Sequence, residues 1–219
     1  MNNSQVEEKG IIEFLIKKYE ELINVSPLFE RINELIAKEY SKGIEEVEKQ
    51  VKPNINFVPK EKDLEFLQEY VIENIQKNTD LVGDNLRQEI QRSIMNKENV
   101  QEMTERIKLI FKEKKYMDRL KAVIRTETQR ANNQGRLEGA IQAEESGLKL
   151  AKWIDIILDD RTSKICKLED SKYGSPDKAI PIDEDFIITA DNKIIKSKNP
   201  PFHVNCRSVL RIVIIGRSK

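Results

Sequence analysis

The chain contains very little cysteine or histidine, and its charges balance. Its 219 residues include two cysteines and one histidine, too few for a disulfide framework. Lysine plus arginine equals aspartate plus glutamate at 38 each, so the overall charge does not indicate a nucleic-acid-binding protein. No apolar run approaches the roughly 20 residues of a membrane helix. The first eight residues lack the basic start and apolar run of a signal peptide. We therefore expect a soluble intracellular protein.

Proline is absent between Pro59 and Pro176, and a stretch without proline that is rich in Glu, Lys, Leu and Ile is typical of long helices. Helix-start signals occur at Ser4, which forms a capping box with Glu7, and at Ser26-Pro27. The residues Val51–Lys60 predict a linker. Further helices are expected at 62–78, 80–95, 99–113 and from about Tyr116 to Ser146, the last of them ended by Gly147.

The sequence after Trp153 favours strands. The short apolar runs at 153–158 and 209–215 predict buried strands, the second ended by Gly216, and the runs at 186–189 and 193–196 flank a hairpin turn. The expected fold class is therefore α+β, with a helical region followed by a small strand-rich module. The expected divisions are N-terminal helices and linker at 1–59, a helical body at 60–152 and the module at 153–219.

The module contains both cysteines and the only histidine of the chain, namely Cys166, His203 and Cys206. These residue types are zinc ligands, and a structural zinc site usually has four. Asp159 and Asp160 are the nearest acidic candidates for the fourth position, which a water could also fill. A module of this size rarely obtains more than about 3–5 kcal/mol from its core, whereas a structural zinc can contribute about 10–16 kcal/mol.

Other interpretations of these three residues remain open. Cys166 and Cys206 could form a disulfide, worth about 4 kcal/mol for a loop of this length, or could be two buried thiols. His203 could be a hydrogen-bonded core residue. A catalytic zinc would need an open coordination position and a general base, for which only carboxylates such as Asp155, Asp159 or Glu169 remain. No phosphate-binding loop, serine-nucleophile elbow or His-Glu-x-x-His helix occurs, so the sequence gives no positive case for an enzyme.

The long helix carries a polar segment, Arg125-Thr126-Glu127-Thr128, in an otherwise apolar stripe. Glu127 and Arg130 are three residues apart and can pair. The segment is either a solvated helix face or a polar cluster packed against the module, with Arg125 paired to an acidic group there. Residues 106–130 also hold an excess of basic side chains, which could contact phosphates or form an ordinary charged surface. The candidate DNA contacts are Lys112, Lys114, Lys115, Arg119 and Lys121.

Taken together and in order, these motifs resemble the phage Mu F-like head morphogenesis proteins over roughly residues 60–219. The resemblance rests on the Arg-Thr-Glu helix, an Asp-Arg-Thr turn before a cysteine, and a Pro-Pro-x-His-x-x-Cys-Arg closure. Ser163 and Ser208 stand at or near positions where relatives carry additional cysteines. The motif residues are Arg125, Thr126, Glu127, Trp153, Arg161, Thr162, Pro201, Asn205 and Arg207.

The resemblance implies a minor structural protein of a tailed virus or provirus, present in the host cytoplasm during assembly and then inside the capsid. The expected partners are the portal protein, the major capsid protein and packaged DNA, with no membrane and no small-molecule substrate. The expected roles are assembly, DNA packaging or DNA ejection, without catalysis. A structural zinc is the only cofactor expected. The alternatives are a zinc-dependent nuclease or hydrolase and a nonspecific DNA-binding protein.

Overall fold

The computed structural model describes residues 26–51, 56–74, 114–191 and 193–217, together with positions 77, 88, 92 and 96. Helix α1 spans Ser26–Val51, in agreement with the start predicted at Ser26-Pro27. Residues 61–74 form helix α2, and 56–60 before it have no regular structure. The helix expected near Ser4 lies outside the described residues, and those expected at 80–95 and 99–113 do so apart from the single positions above. Within the described ranges, none of the helices has the length and apolar character that a membrane crossing needs.

Helix α3 spans Lys114–Glu145 and packs along α1. Ile36 and Tyr40 of α1 are buried against Val71 of α2 and Ala131 of α3. The two long helices approach closely at glycines. A Cβ atom added to Gly135 would lie 2.9 Å from the carbonyl carbon of Tyr40 and even closer to its oxygen. The two helices can therefore approach this closely only because glycine has no side chain.

The end of α3 follows the prediction. Gly147 has φ +90° and donates its N–H to the Glu144 carbonyl oxygen at 2.9 Å. A left-handed residue of this kind satisfies the last carbonyls of a helix and turns the chain, and glycine adopts that conformation without a steric penalty. The first strand begins at the next residue.

The module contains two antiparallel sheets. Strands β1 (Leu148–Asp155), β2 (Ile180–Pro181) and β5 (Val209–Arg217) form a three-stranded sheet in the order β2-β1-β5. Strands β3 (Phe186–Ala190) and β4 (Lys193–Ser197) form the predicted hairpin, in which Asp191 has φ 49°.

Three boundaries of the two long strands were predicted wrongly. The strand expected at 153–158 begins at Leu148 and ends at Asp155, because β1 pairs with β5 from Leu148↔Arg217 to Asp155↔Val209. The start at Leu148 was missed because the polar Lys149 and Lys152 interrupt the apolar run in the sequence. The pairing with β1 also carries β5 through Gly216, where the sequence predicted its end.

Helix α4 (Lys164–Tyr173) was not predicted, although its start signal is present. Ser163 is the N-cap residue, and its Oγ accepts a hydrogen bond from the Cys166 backbone N–H at 3.1 Å. Its side chain thereby satisfies one of the free N–H groups of the first turn. A short 3-10 turn, Pro176–Lys178, follows. The predicted α+β fold class is confirmed, with more helix in the module than expected.

We expect Ser163→Ala to lower the free energy of unfolding by about 1 kcal/mol, the usual effect of removing an N-cap side chain. Urea denaturation of both proteins measures the change. Ser171→Ala is the matched control, because Ser171 lies on the same helix at an exposed position, where its hydroxyl donates to the Leu168 carbonyl. Equal stabilities of the two variants would contradict the capping role.

One hydrophobic core joins the helices to the module. Val47 of α1 and Leu137 of α3 are buried in the same cluster as Ile154, Phe186 and Leu210 of the strands. The boundary predicted at 152/153 falls inside β1. The module and the helix pair are therefore packed together as one body over the described residues.

Candidate metal centre

The structure brings together the three soft ligands that the sequence singled out. One ligand atom each from Cys166, His203 and Cys206 lies within 4.8 Å of the others, and the residues form the one such group among the described residues. Cys166 is 6% exposed and Cys206 1% exposed. Both are free thiols in the structure. The group could hold a metal ion, since zinc bonds of about 2.3 Å to sulfur and 2.0–2.1 Å to nitrogen suit a cluster of this size.

Local geometry orients the imidazole toward the cysteines. His203 Nδ1 lies 2.8 Å from the Val204 carbonyl oxygen, so Nδ1 carries the proton and donates to that oxygen. Nε2 is then free to accept, and it faces Cys166 Sγ at 2.9 Å and Ser163 Oγ at 2.9 Å. A backbone carbonyl that fixes the distal nitrogen of a histidine is a common second contact in metal sites. The Cys206 N–H donates to the His203 carbonyl oxygen at 3.2 Å, which closes a tight turn.

The Arg-Thr-Glu segment holds this turn from the side of α3. Thr126 Oγ1 accepts the backbone N–H of Asn205 at 2.9 Å, and Asn205 has φ 61°, a conformation that asparagine tolerates. Arg125 donates to the Asn205 side-chain oxygen at 3.5 Å. The module group that Arg125 contacts is thus an amide, whereas the alternative of a packed polar cluster had suggested an acidic partner. The interpretation of this segment as a polar cluster packed against the module fits these contacts.

Asn133 of α3 also positions the site, and sequence reasoning missed it. It is fully buried, donates to the Ser208 carbonyl at 3.1 Å and to the Pro200 carbonyl at 3.3 Å, and accepts the Leu210 N–H at 2.8 Å. It thus ties both ends of the loop that carries His203 and Cys206 to the helix. The only signal in the sequence was a polar residue within the predicted long helix.

The protonation of the group reflects close contact between the two thiols. A hydrogen bond to Cys206 raises the pKa of Cys166, and the same contact lowers the pKa of Cys206. The pKa of His203 is raised, chiefly by its contact with Cys166. Burial raises the pKa of Glu169 to about 7, with the nearby Cys166 adding to the effect. The group therefore concentrates several titrating side chains in one small volume.

The acidic candidates from the sequence lie elsewhere. Asp159 accepts from Arg207 at 2.8 and 2.6 Å and from Arg161 at 3.3 Å, and these contacts, led by Arg207, hold the pKa of Asp159 far below its usual value. Asp160 is exposed and does not join the ligand group. Asp155 accepts from Arg211 at 2.8 Å. The carboxylate that does lie beside the cysteines is Glu169, which the sequence suggested only as a general base.

The remaining predicted residues have structural contacts. Glu127 pairs with Arg130 at 2.7 Å, as expected. Thr162 accepts the Asp159 N–H at 2.7 Å, which forms the Asp-Arg-Thr turn. Pro201 is buried and Trp153 is half-buried in β1.

The basic residues proposed as DNA contacts are described only in part. Lys114, Lys115, Arg119 and Lys121 lie in the first turns of α3, where Lys121 is exposed. Lys112 lies outside the described residues. DNA contact at these positions stays a prediction.

Comparisons with known proteins identify the family. Residues 84–211, more than half of the chain, match the family described as Phage Mu protein F like protein. Neither the search of curated proteins nor the search of solved structures found a match. The matched range includes α3, the Cys-His group and most of the two sheets. The chain therefore belongs to the Phage Mu protein F like family.

Proposed function

We propose that this protein is a minor structural protein of a phage head that associates with the portal or the capsid interior during assembly. The observation that carries the proposal is the family match over residues 84–211. That family indicates a phage head morphogenesis protein and capsid-related partners. The same range contains the Arg-Thr-Glu segment and the Cys-His group, whose contacts join α3 to the module.

The architecture supports a structural role. Helices α1 and α3 meet at glycines with no room for a side chain, and one core joins them to the strands. A body packed in this way presents a fixed surface to a partner. Assistance with DNA packaging or ejection is part of the same proposal.

Joint expression with the portal and major capsid proteins of the same phage tests the proposal. We expect the chain to sediment with the assembled particles or with isolated portal complexes. The Ser171→Ala variant should assemble like the wild type, since Ser171 lies at an exposed position. A folded chain that appears in neither fraction would contradict the proposal.

We further propose that Cys166, His203 and Cys206 hold a structural zinc ion. Two sulfurs and one imidazole are ligands that zinc prefers, and their burial suits an ion that stabilises a fold. Elemental analysis of the purified protein, combined with a thiol count, tests this point. One zinc per chain, with two free thiols after chelation, is expected. Absence of metal with no free thiols would indicate a disulfide instead.

The site is proposed to be structural and not catalytic. Among the described residues, Asp155 and Asp159 are paired with arginines, and Glu169 is fully buried. None of these three carboxylates is both solvent-accessible and free of an arginine partner. Incubation of the zinc-loaded protein with DNA should give no cleavage. Cleavage that is lost in His203→Ala would support the alternative of a zinc-dependent nuclease.

A further inference from the structure

Helix α4 contains a buried carboxylate with one oxygen that has no hydrogen-bond partner. Glu169 is 0% exposed. Its Oε2 accepts from Ser208 Oγ at 3.1 Å, whereas its Oε1 is buried without a hydrogen-bond partner. None of the ion pairs found among the described residues includes Glu169. Burial of a charged carboxylate without a paired cation costs several kcal/mol, which either a bound proton or a bound cation can offset.

The position of Glu169 relates it to the Cys-His group. Glu169 and Cys166 are three residues apart on the buried face of α4, a spacing that places side chains next to each other on one helix face. Ser208 Oγ lies 3.1 Å from Glu169 Oε2 and 3.8 Å from Cys166 Sγ. A single hydroxyl group therefore lies between the carboxylate and the sulfur of Cys166.

We propose that Glu169 is the fourth protein ligand of the zinc site, which makes the ligand set Cys166, His203, Cys206 and Glu169. This inference rests on the zinc site proposed above. Tetrahedral structural zinc sites take four ligands, and carboxylate oxygens are among them. The ion would supply the counter-charge that Glu169 lacks.

Ligation requires a rearrangement, because the carboxylate of Glu169 is not part of the 4.8 Å group. The side chain of Glu169 would have to turn Oε1 to the ion and release the hydroxyl of Ser208. That hydroxyl could then donate to the Cys166 sulfur, which carries negative charge once it binds a metal. Coordinated thiolates commonly receive such hydrogen bonds.

The other candidates fit less well. Asp159 is paired with Arg207 and Arg161, and a movement of its carboxylate to the metal would break both ion pairs. Asp160 is exposed on the turn before α4. Glu169 alone combines full burial, an unpartnered oxygen and a link to a cysteine of the group.

Titration of the full-length protein with Co²⁺ tests the assignment, since cobalt reports its ligands through its visible spectrum. We expect Glu169→Gln to weaken Co²⁺ binding by more than the roughly 10- to 100-fold that is typical of losing a residue that only contacts a ligand, and to change the ligand-field bands. The thiolate-to-cobalt charge-transfer band should remain, because both sulfurs are still present. Asp170→Asn is the matched control, an adjacent acidic residue outside the group, and should behave like the wild type.

A second variant makes the result independent of how well the glutamine variant folds. Glu169→Cys should bind Co²⁺ and show a stronger charge-transfer band from a third thiolate. Wild-type affinity and spectrum in Glu169→Gln, or an unchanged band in Glu169→Cys, would overturn the ligand assignment while leaving the three-residue site intact. Failure of the wild type to bind Co²⁺, or unchanged binding in Cys166→Ser, would show instead that the proposed zinc site itself is wrong.

Discussion

Replacement of Gly135 by alanine is expected to lower the melting temperature of the protein by about 6–12 °C. The new Cβ would overlap the Tyr40 carbonyl group and lie 3.2 Å from the Gly43 Cα. All of these atoms belong to backbone, so no side chain can move aside and the two helices must separate. Overpacking against backbone should cost about 3 kcal/mol, the upper end of the usual range for overpacked cores. A loss of 1 kcal/mol shifts the melting temperature of a chain of this size by about 2–4 °C. Calorimetry measures the change.

The sign of the effect distinguishes packing from helix propensity. Alanine is intrinsically better than glycine in a helix by about 1 kcal/mol, so an isolated helix would gain stability from the same substitution. Gly216→Ala on β5 is the control, because its Cβ would meet nothing closer than Lys149 Cβ at 3.9 Å. A melting temperature of Gly135→Ala equal to or above that of the wild type would contradict the close approach of α1 and α3.

Removal of zinc is expected to destabilise the protein by about 4 kcal/mol when the free zinc concentration is 1,000 times its dissociation constant. The corresponding fall in melting temperature is about 8–16 °C. The physical reason is that the folded state brings Cys166, His203 and Cys206 together. In the unfolded chain no structure holds Cys166 close to the other two residues. Thermal melts under reducing conditions with zinc and with a chelator measure the difference.

Cys206→Ser provides the matched comparison for zinc removal. Serine is nearly the same size as cysteine but is a poor zinc ligand, so this variant should melt at the same temperature with and without zinc. The wild type with chelator should then resemble the variant. A wild-type melting temperature that does not respond to zinc would contradict the structural role of the group.

The sequence was informative where a short motif determines the geometry. The stop at Gly147, the hairpin around Asp191 and the start of α1 at Ser26-Pro27 each depend on a few neighbouring residues, and all three are confirmed. The convergence of Cys166 with the His203–Cys206 turn was inferred from the scarcity of these residue types, and the structure confirms it.

What sequence reasoning missed depends on contacts between distant segments. The start of β1 is determined by its pairing with β5, and the sequence of 148–152 does not show this pairing. The sequence shows Asn133 only as a polar residue in a helix, and its positioning role exists only once the loop at 200–210 is folded against it. Glu169 is one of many glutamates, and only its burial against Ser208 distinguishes it. The glycine contact between α1 and α3 likewise exists only when both helices are in place.

The core shared by helices and strands has a consequence for how the polypeptide can be divided. A fragment that starts at Trp153 would lose more than half of β1 and the apolar surfaces that Val47 and Leu137 supply. Such a piece would expose Phe186 and Leu210 to water and should aggregate when expressed by itself. Exchange of this region between related phages would therefore have to include the matching segments of α1 and α3.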